Sequence, residues 1–185
     1  MNKKLIIFIV LLLLSLGITY YFLTKEKKNN MSNISSISYE DSSYTNSTDE
    51  VDINLSNVSE VYTISKGGIY HFTGTYTSYI KIDTEDDVKI ILDNVTITND
   101  SGPCIYGLNA KNIYIELVGD NKLSDGETYD FSDEEAKAVI FANDDLIFSG
   151  DGTLTINANY NDGISSDDDI VFKSGTYNIT SVDDG

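Results

Sequence analysis

Carboxylates recur at a near-constant spacing toward the carboxyl end of this 185-residue chain. Asp144 returns as Asp168 after 24 residues, and Asp162, just ahead of Gly163-Ile164, is followed 22 residues later by Asp184 of the Asp183-Asp184 pair. A chain that winds once per copy would stack such carboxylates about 4.8 Å apart, the spacing of neighbouring strands. Two unit charges at that distance repel by ~1 kcal/mol in water and by about 3.5 kcal/mol at an effective dielectric of 20. A divalent cation relieves that repulsion. Calcium suits the donors best, because it takes six to eight oxygens from carboxylates, Asn and backbone carbonyls. Zinc prefers nitrogen or sulfur, and the sequence holds a single His and a single Cys. Asp144, Asp162, Asp168, Asp183 and Asp184 are therefore candidate calcium ligands. The plainer reading is that Asp and Asn fill turns without any ion.

The elements that must position these residues repeat with them. Asn143 to Phe148 (NDDLIF) returns as Asp167 to Phe172 (DDDIVF), and Gly152 to Ile156 (GTLTI) returns as Gly175 to Ile179 (GTYNI) after 23 residues. Upstream, Asp87 to Leu92 precedes Asn112 to Leu117 by 25 residues. A fixed period in this range marks a repeat architecture. Each copy holds two or three alternating apolar runs between Gly, Asn and Asp, too short for helices. The expected fold is all-β, a parallel β-helix (β-solenoid) of roughly five turns at ~24 residues each. Alternation places Val88, Ile90 and Leu92 over Ile113, Ile115 and Leu117, then Leu146 and Phe148, then Ile170 and Phe172. Val95, Ile97, Leu154, Ile156, Tyr177 and Ile179 are expected to line a second wall, and Ile105, Ile140 and Ile164 a third.

Charge narrows the partners. Residues 31–185 carry 7 Lys against 29 carboxylates, a net −22, and the chain has no Arg. Such a surface repels phosphate backbones, so no nucleic-acid partner is expected. Cations, or polymers approached through bound cations, remain. Cys104 has no second thiol to pair with and lies in the apolar run Pro103-Cys104-Ile105-Tyr106, where it reads as a small apolar filler.

Residues 1–28 open with Lys3 and Lys4 and run from Leu5 to Leu23 without a charge, a span of 19 residues. That is the length of a membrane crossing, and no small-x-small cleavage site follows it. The segment is expected to be a signal anchor, a single-pass transmembrane helix that holds the remainder outside the cell. Residues 29–60, rich in Ser, Asn, Thr and acids, are expected to form a flexible linker. Residues 61–185 form the repeat domain. His71 alternates with Tyr70 and Phe72 on a strand and reads as a packed or surface residue, having no second nitrogen or sulfur ligand. The step from Ile113 to Leu146 is 33 residues, so about nine are inserted between Leu123 and Lys137. Tyr129 and Phe131 within that acidic excursion could stack on a sugar ring, although a solvated loop accounts for them equally well.

The string AVIFANDDLIFSGDGTLTI, followed by NYNDGISSDDDIVFKSGTY and VDDG, resembles the repeat signature of bacterial carbohydrate-binding domain-containing proteins, and ILDNVTITNDSGPCIY resembles the preceding turn. The resemblance covers about Ile64 to Gly185. It implies a right-handed parallel β-helix similar in fold to calcium-dependent pectate lyases, on secreted or surface proteins that bind cellulose-like or acidic plant polysaccharides with calcium. In lyases of that fold an aspartate one turn below an Asp-Asp pair holds the ion, a pattern that falls on Asp162, Asp183 and Asp184. The proton-abstracting base would come from later turns, so the chain is expected to be a fragment, its β-helix incomplete at the carboxyl end.

Three functions follow as expectations. The first is a membrane-anchored polysaccharide-binding module with calcium as its cofactor and Tyr106, Tyr114, Tyr129 and Tyr160 as candidate sugar-stacking residues. The second is a calcium-dependent polysaccharide lyase, and the third a non-catalytic adhesin.

Overall fold

A computed structural model describes residues 50–182 of the chain. The apolar run expected to cross a membrane and the paired acids Asp183 and Asp184 lie outside the described residues. Among the described residues fourteen strands follow one another, with a single 3-10 turn, Leu55–Asn57, among them. Every strand pair is parallel, and partners in neighbouring strands come from neighbouring copies of the repeat.

The larger sheet has nine strands. β1 (Glu50–Asn54), β3 (Gly68–Tyr76), β5 (Val88–Asn99), β7 (Ile113–Val118), β10 (Leu146–Gly150) and β13 (Ile170–Phe172) pair in that succession. β8 (Asp120–Asp125), β11 (Thr153–Asn157) and β14 (Thr176–Thr180) continue from the second half of β5. The smaller sheet has five strands, β2 (Tyr62–Ile64), β4 (Ile80–Asp83), β6 (Ile105–Asn109), β9 (Ala138–Ala142) and β12 (Asp162–Ser166).

The ladders follow the alternation of the sequence. Val88 pairs with Ile113 and Leu92 with Leu117, Leu146 lies between Ile113 and Ile170, and Ile140 lies between Ile105 and Ile164. Inward residues of both sheets form one buried cluster that includes Phe72, Ile90, Ile97, Ile105, Ile140 and Phe148. At about 25 cal/mol per Å2 this burial is the main stabilising term.

The expected right-handed parallel β-helix is corrected here: the described residues form a nine-stranded half-barrel and a second sheet, not three separate walls. The physical reason is that β3 and β5 do not stop at the corner. Thr73 pairs with Asp93 and Gly74 with Val95, so Asn94 bulges out, and the 12-residue β5 passes from the β7 pairing to the β8 pairing without a break. Asn94 has φ 54 there, a left-handed conformation that Asn tolerates. The first two expected walls are thereby one curved sheet. No described helix is long and apolar enough to cross a membrane. β1 falls inside the stretch read as linker, where its Ile53 pairs with Phe72 and is buried against the core.

Candidate functional site

The inserted segment after β8 builds a cleft with the shape of a binding site. Gly126 N–H donates to the Asn99 carbonyl (3.1 Å) and Asp130 N–H to the Ser101 carbonyl (3.1 Å), which fixes the path of the loop over the five-stranded sheet. Between the loop and the starts of β9 and β12 lies a cleft of about 310 Å3, lined by residues that include Tyr129, Phe131, Asp133, Lys137 and Tyr160.

Its aromatic wall is held from below. Tyr129 and Tyr160 stack with centroids 4.2 Å apart and planes 17° off parallel. The Tyr129 hydroxyl donates to Asp125 Oδ2 (2.7 Å), and Asp125 is only 4% exposed. A buried carboxylate is stable only if its oxygens are hydrogen-bonded. The second oxygen accepts from Asn159 N–H (2.5 Å). Burial, and then the hydrogen bond and charge of Asp125, push the Tyr129 phenol far above its ordinary value, so it stays a donor. Asn159 also donates its side-chain amide to the Asp125 carbonyl (2.7 Å), tying the loop to the segment that carries Tyr160.

Phe131 packs edge-on against Tyr79 (5.3 Å, 78°) and Tyr106 (5.0 Å, 86°). It lies directly over Gly102, where a Cβ would stand 2.6 Å from its ring. Asp130, Glu134 and Lys137 are exposed on the rim. Lys137 takes part in none of the described ion pairs.

The four tyrosines expected to stack on sugar divide. Tyr129 and Tyr160 meet in the cleft. Tyr106 lies beneath the loop, 6% exposed, its hydroxyl donating to Asp133 Oδ2 (2.7 Å) and its ring stacked with Phe141 at 6.3 Å. Tyr114 belongs to the other sheet, flanked by Lys89 and Ile147 in the adjacent strands. The candidate calcium ligands also divide. Asp144 Oδ2 accepts from Ala110 N–H (2.8 Å), and the Ser166 hydroxyl donates to the Asp144 carbonyl (2.8 Å) and accepts from Asp168 N–H (3.1 Å). Asp162 opens β12 beside the cleft, its N–H donating to the Lys137 carbonyl (3.1 Å) and its Oδ2 accepting from Asn161 (2.8 Å). Neighbouring Asp145 likewise accepts from Asp169 N–H (3.1 Å), so corner carboxylates bind backbone amides of adjacent copies.

The model of the family described as carbohydrate-binding domain-containing protein matches residues 58–185. The chain belongs to that family. A carbohydrate-binding domain-containing protein of Acetivibrio thermocellus is 38% identical over 125 residues, covering 63% of this chain and 43% of that protein. A solved structure, the polysaccharide lyase-like protein from C. thermocellum as its gadolinium derivative, superposes with a TM-score of 0.66 at 32% identity, covering 71% of this chain and 61% of that one. The chain thus spans under half of the first relative's length and under two thirds of the second's.

Several residues that shape the site of this carbohydrate-binding domain family member were not singled out by the sequence. Asp125 reads as one more acid in an acidic loop, yet it anchors the aromatic wall. Lys137 marked only the end of the insertion in the sequence, and the cleft shows its placement. His71 is bracketed by carboxylates: Nδ1 lies 2.9 Å from Glu50 Oε1 and 3.2 Å from Asp52 Oδ1, and Nε2 lies 3.2 Å from Asp93 Oδ2. Burial pulls the imidazole down, but the Asp93 hydrogen bond and the charge and hydrogen bond of Glu50 outweigh it and leave it above its usual value.

Proposed function

We propose that this chain binds polysaccharide in the cleft beneath the inserted loop. The observation that carries the reading is the juxtaposition of the Tyr129–Tyr160 stack with an ammonium free of described ion pairs, Lys137, and rim carboxylates Asp130 and Glu134. Small-ligand sites combine an apolar wall with a few convergent polar groups. The C–H face of a pyranose packs on an aromatic ring such as Tyr160, while carboxylates and ammonium bond its hydroxyls or a uronate carboxylate. Membership of the family and the lyase-like neighbour support a polysaccharide ligand.

Calcium is part of the proposal. Asp162, next to the cleft, with Asp183 and Asp184 of the following copy would hold the ion, and Asp144 and Asp168 would hold a second. These donors are oxygens only, which fits calcium. The bond from Ala110 N–H to Asp144 Oδ2 leaves that carboxylate one oxygen for an ion. Bound calcium would offset the acidic rim and bridge to an acidic polymer. Residues 1–28 would tether the domain at the outer face of a membrane.

The test is retention of the chain on insoluble cellulose and on pectate gel. Retention that falls at least tenfold in Tyr160→Ala, and on pectate also after chelation, is the expected result. Passage of the unaltered chain through both matrices contradicts the reading. Release of unsaturated product absorbing in the ultraviolet would move the assignment to a lyase.

A further inference from the structure

We infer that His71, Glu50 and Asp52 form a binding site for a divalent transition-metal ion of the zinc class, on the outer face of the nine-stranded sheet and apart from the polysaccharide cleft. The three side chains converge because of strand register. Asp52 pairs directly with His71, and Glu50, two residues earlier on β1, shares its face. His71 pairs with Ile91 on β5, and Asp93, two residues later, shares the same outward face. Phe72, its neighbour in sequence, turns inward and is fully buried.

The chemistry is that of a histidine–carboxylate metal site. Nδ1 of His71 and one oxygen each of Glu50 and Asp52 lie within 4.8 Å of one another. Around tetrahedral zinc, with bonds of about 2.0–2.2 Å, neighbouring ligand atoms stand roughly 3.3–3.5 Å apart. The observed 2.9 and 3.2 Å separations from Nδ1 need to open by only a few tenths of an ångström. Asp93 completes the arrangement from the other side: with its carboxylate 3.2 Å from Nε2 it would keep the proton on that nitrogen, while a metal ion would displace the proton that Nδ1 shares with Glu50 and Asp52. A carboxylate on the distal nitrogen is the usual support of a metal-bound histidine. An imidazole ligand favours zinc, nickel or copper over calcium. Asp52, with its side chain 87% exposed, leaves the fourth position open to water. Bound metal would tie β1 to β3, the one strand with which it pairs.

His71 is the only histidine of the chain, so it reports on itself. The full-length chain labelled with 15N-histidine is titrated with Zn2+ and separately with Ca2+, following both imidazole nitrogens by NMR. We expect a saturable change of the Nδ1 resonance complete near one equivalent of Zn2+, with the Nε2 proton retained and no response to Ca2+. Glu50→Gln and Asp52→Asn should each weaken zinc binding at least tenfold, and Asp93→Asn by about 10–100-fold. No change at excess Zn2+ would show a cluster that holds only a proton, and unchanged affinity in the Glu50→Gln/Asp52→Asn double variant would show adventitious imidazole binding. Either result overturns the site.

Discussion

The Tyr129 hydroxyl sits 2.7 Å from Oδ2 of Asp125, a carboxylate with 4% of its surface exposed. One hydrogen bond thus joins the charge buried under the inserted loop to the ring that faces the cleft. Tyr129→Phe keeps the ring and removes the donor. Leaving one oxygen of a buried carboxylate short of a partner should cost about 1–3 kcal/mol in chemical denaturation, with polysaccharide retention little changed. Tyr160→Ala should do the reverse, losing retention at least tenfold while unfolding near the parent midpoint.

His71 gives the domain a pH-dependent tie between β1, β3 and β5. The charged or ionisable groups that face it are Glu50 and Asp52 from β1 and Asp93 from β5. Its folded pKa is raised, so the tie contributes fully below the unfolded value of about 6.5 and is lost as pH climbs through the folded value. His71→Ala should therefore be less stable than the parent at pH 5.5, by roughly 0.2–1 kcal/mol as for exposed ion pairs, and should match it in metal-free buffer at pH 9. Urea melts at the two pH values measure the gap.

Gly150 adopts φ +104, and a Cβ there would collide with the Leu117 carbonyl oxygen of the adjacent strand. Ala at this position meets both a disfavoured backbone conformation and a backbone clash. Gly150→Ala should lower stability by about 1–3 kcal/mol or more.

Cys104 is fully buried, and burial pushes its thiol up to about 12. Its Sγ lies 3.3 Å from the Ser124 carbonyl oxygen. A thiol-selective reagent at pH 8 should leave it unmodified in the folded chain and label it fully in denaturant.

The ladders were legible because alternation and period act together. Leu92 over Leu117 and Ile140 over Ile164 follow from counting alone. β8 was not legible as a strand, because the residue it turns inward opposite Leu154 is Asn121. That amide is 1% exposed, accepts from Val95 N–H (3.1 Å) and donates to the Val118 carbonyl (3.1 Å), so a polar residue occupies a core position at no loss. The merging of two walls into one sheet was hidden for a related reason. Asn94 looks like a turn residue, and only the pairing on both sides of it shows a bulge within a continuous strand. The cleft was half legible. Tyr129 and Tyr160 stand out as aromatics among acids, but nothing in their 31-residue separation shows that they meet. Tyr106, in the apolar run Pro103-Cys104-Ile105-Tyr106, is covered by Phe131 and Phe141 instead. The metal-type cluster at His71 needed β1, whose polar surroundings had marked it as linker.

The most direct test of sugar binding in the cleft is an NMR titration of the full-length chain with a soluble oligogalacturonide and, separately, a cello-oligosaccharide, in calcium buffer. The account predicts saturable shifts for at least one of them that cluster on Tyr129, Phe131, Lys137 and Tyr160 and vanish in Tyr160→Ala. Shifts confined to the outer face around Tyr114, or none with either sugar, would contradict it.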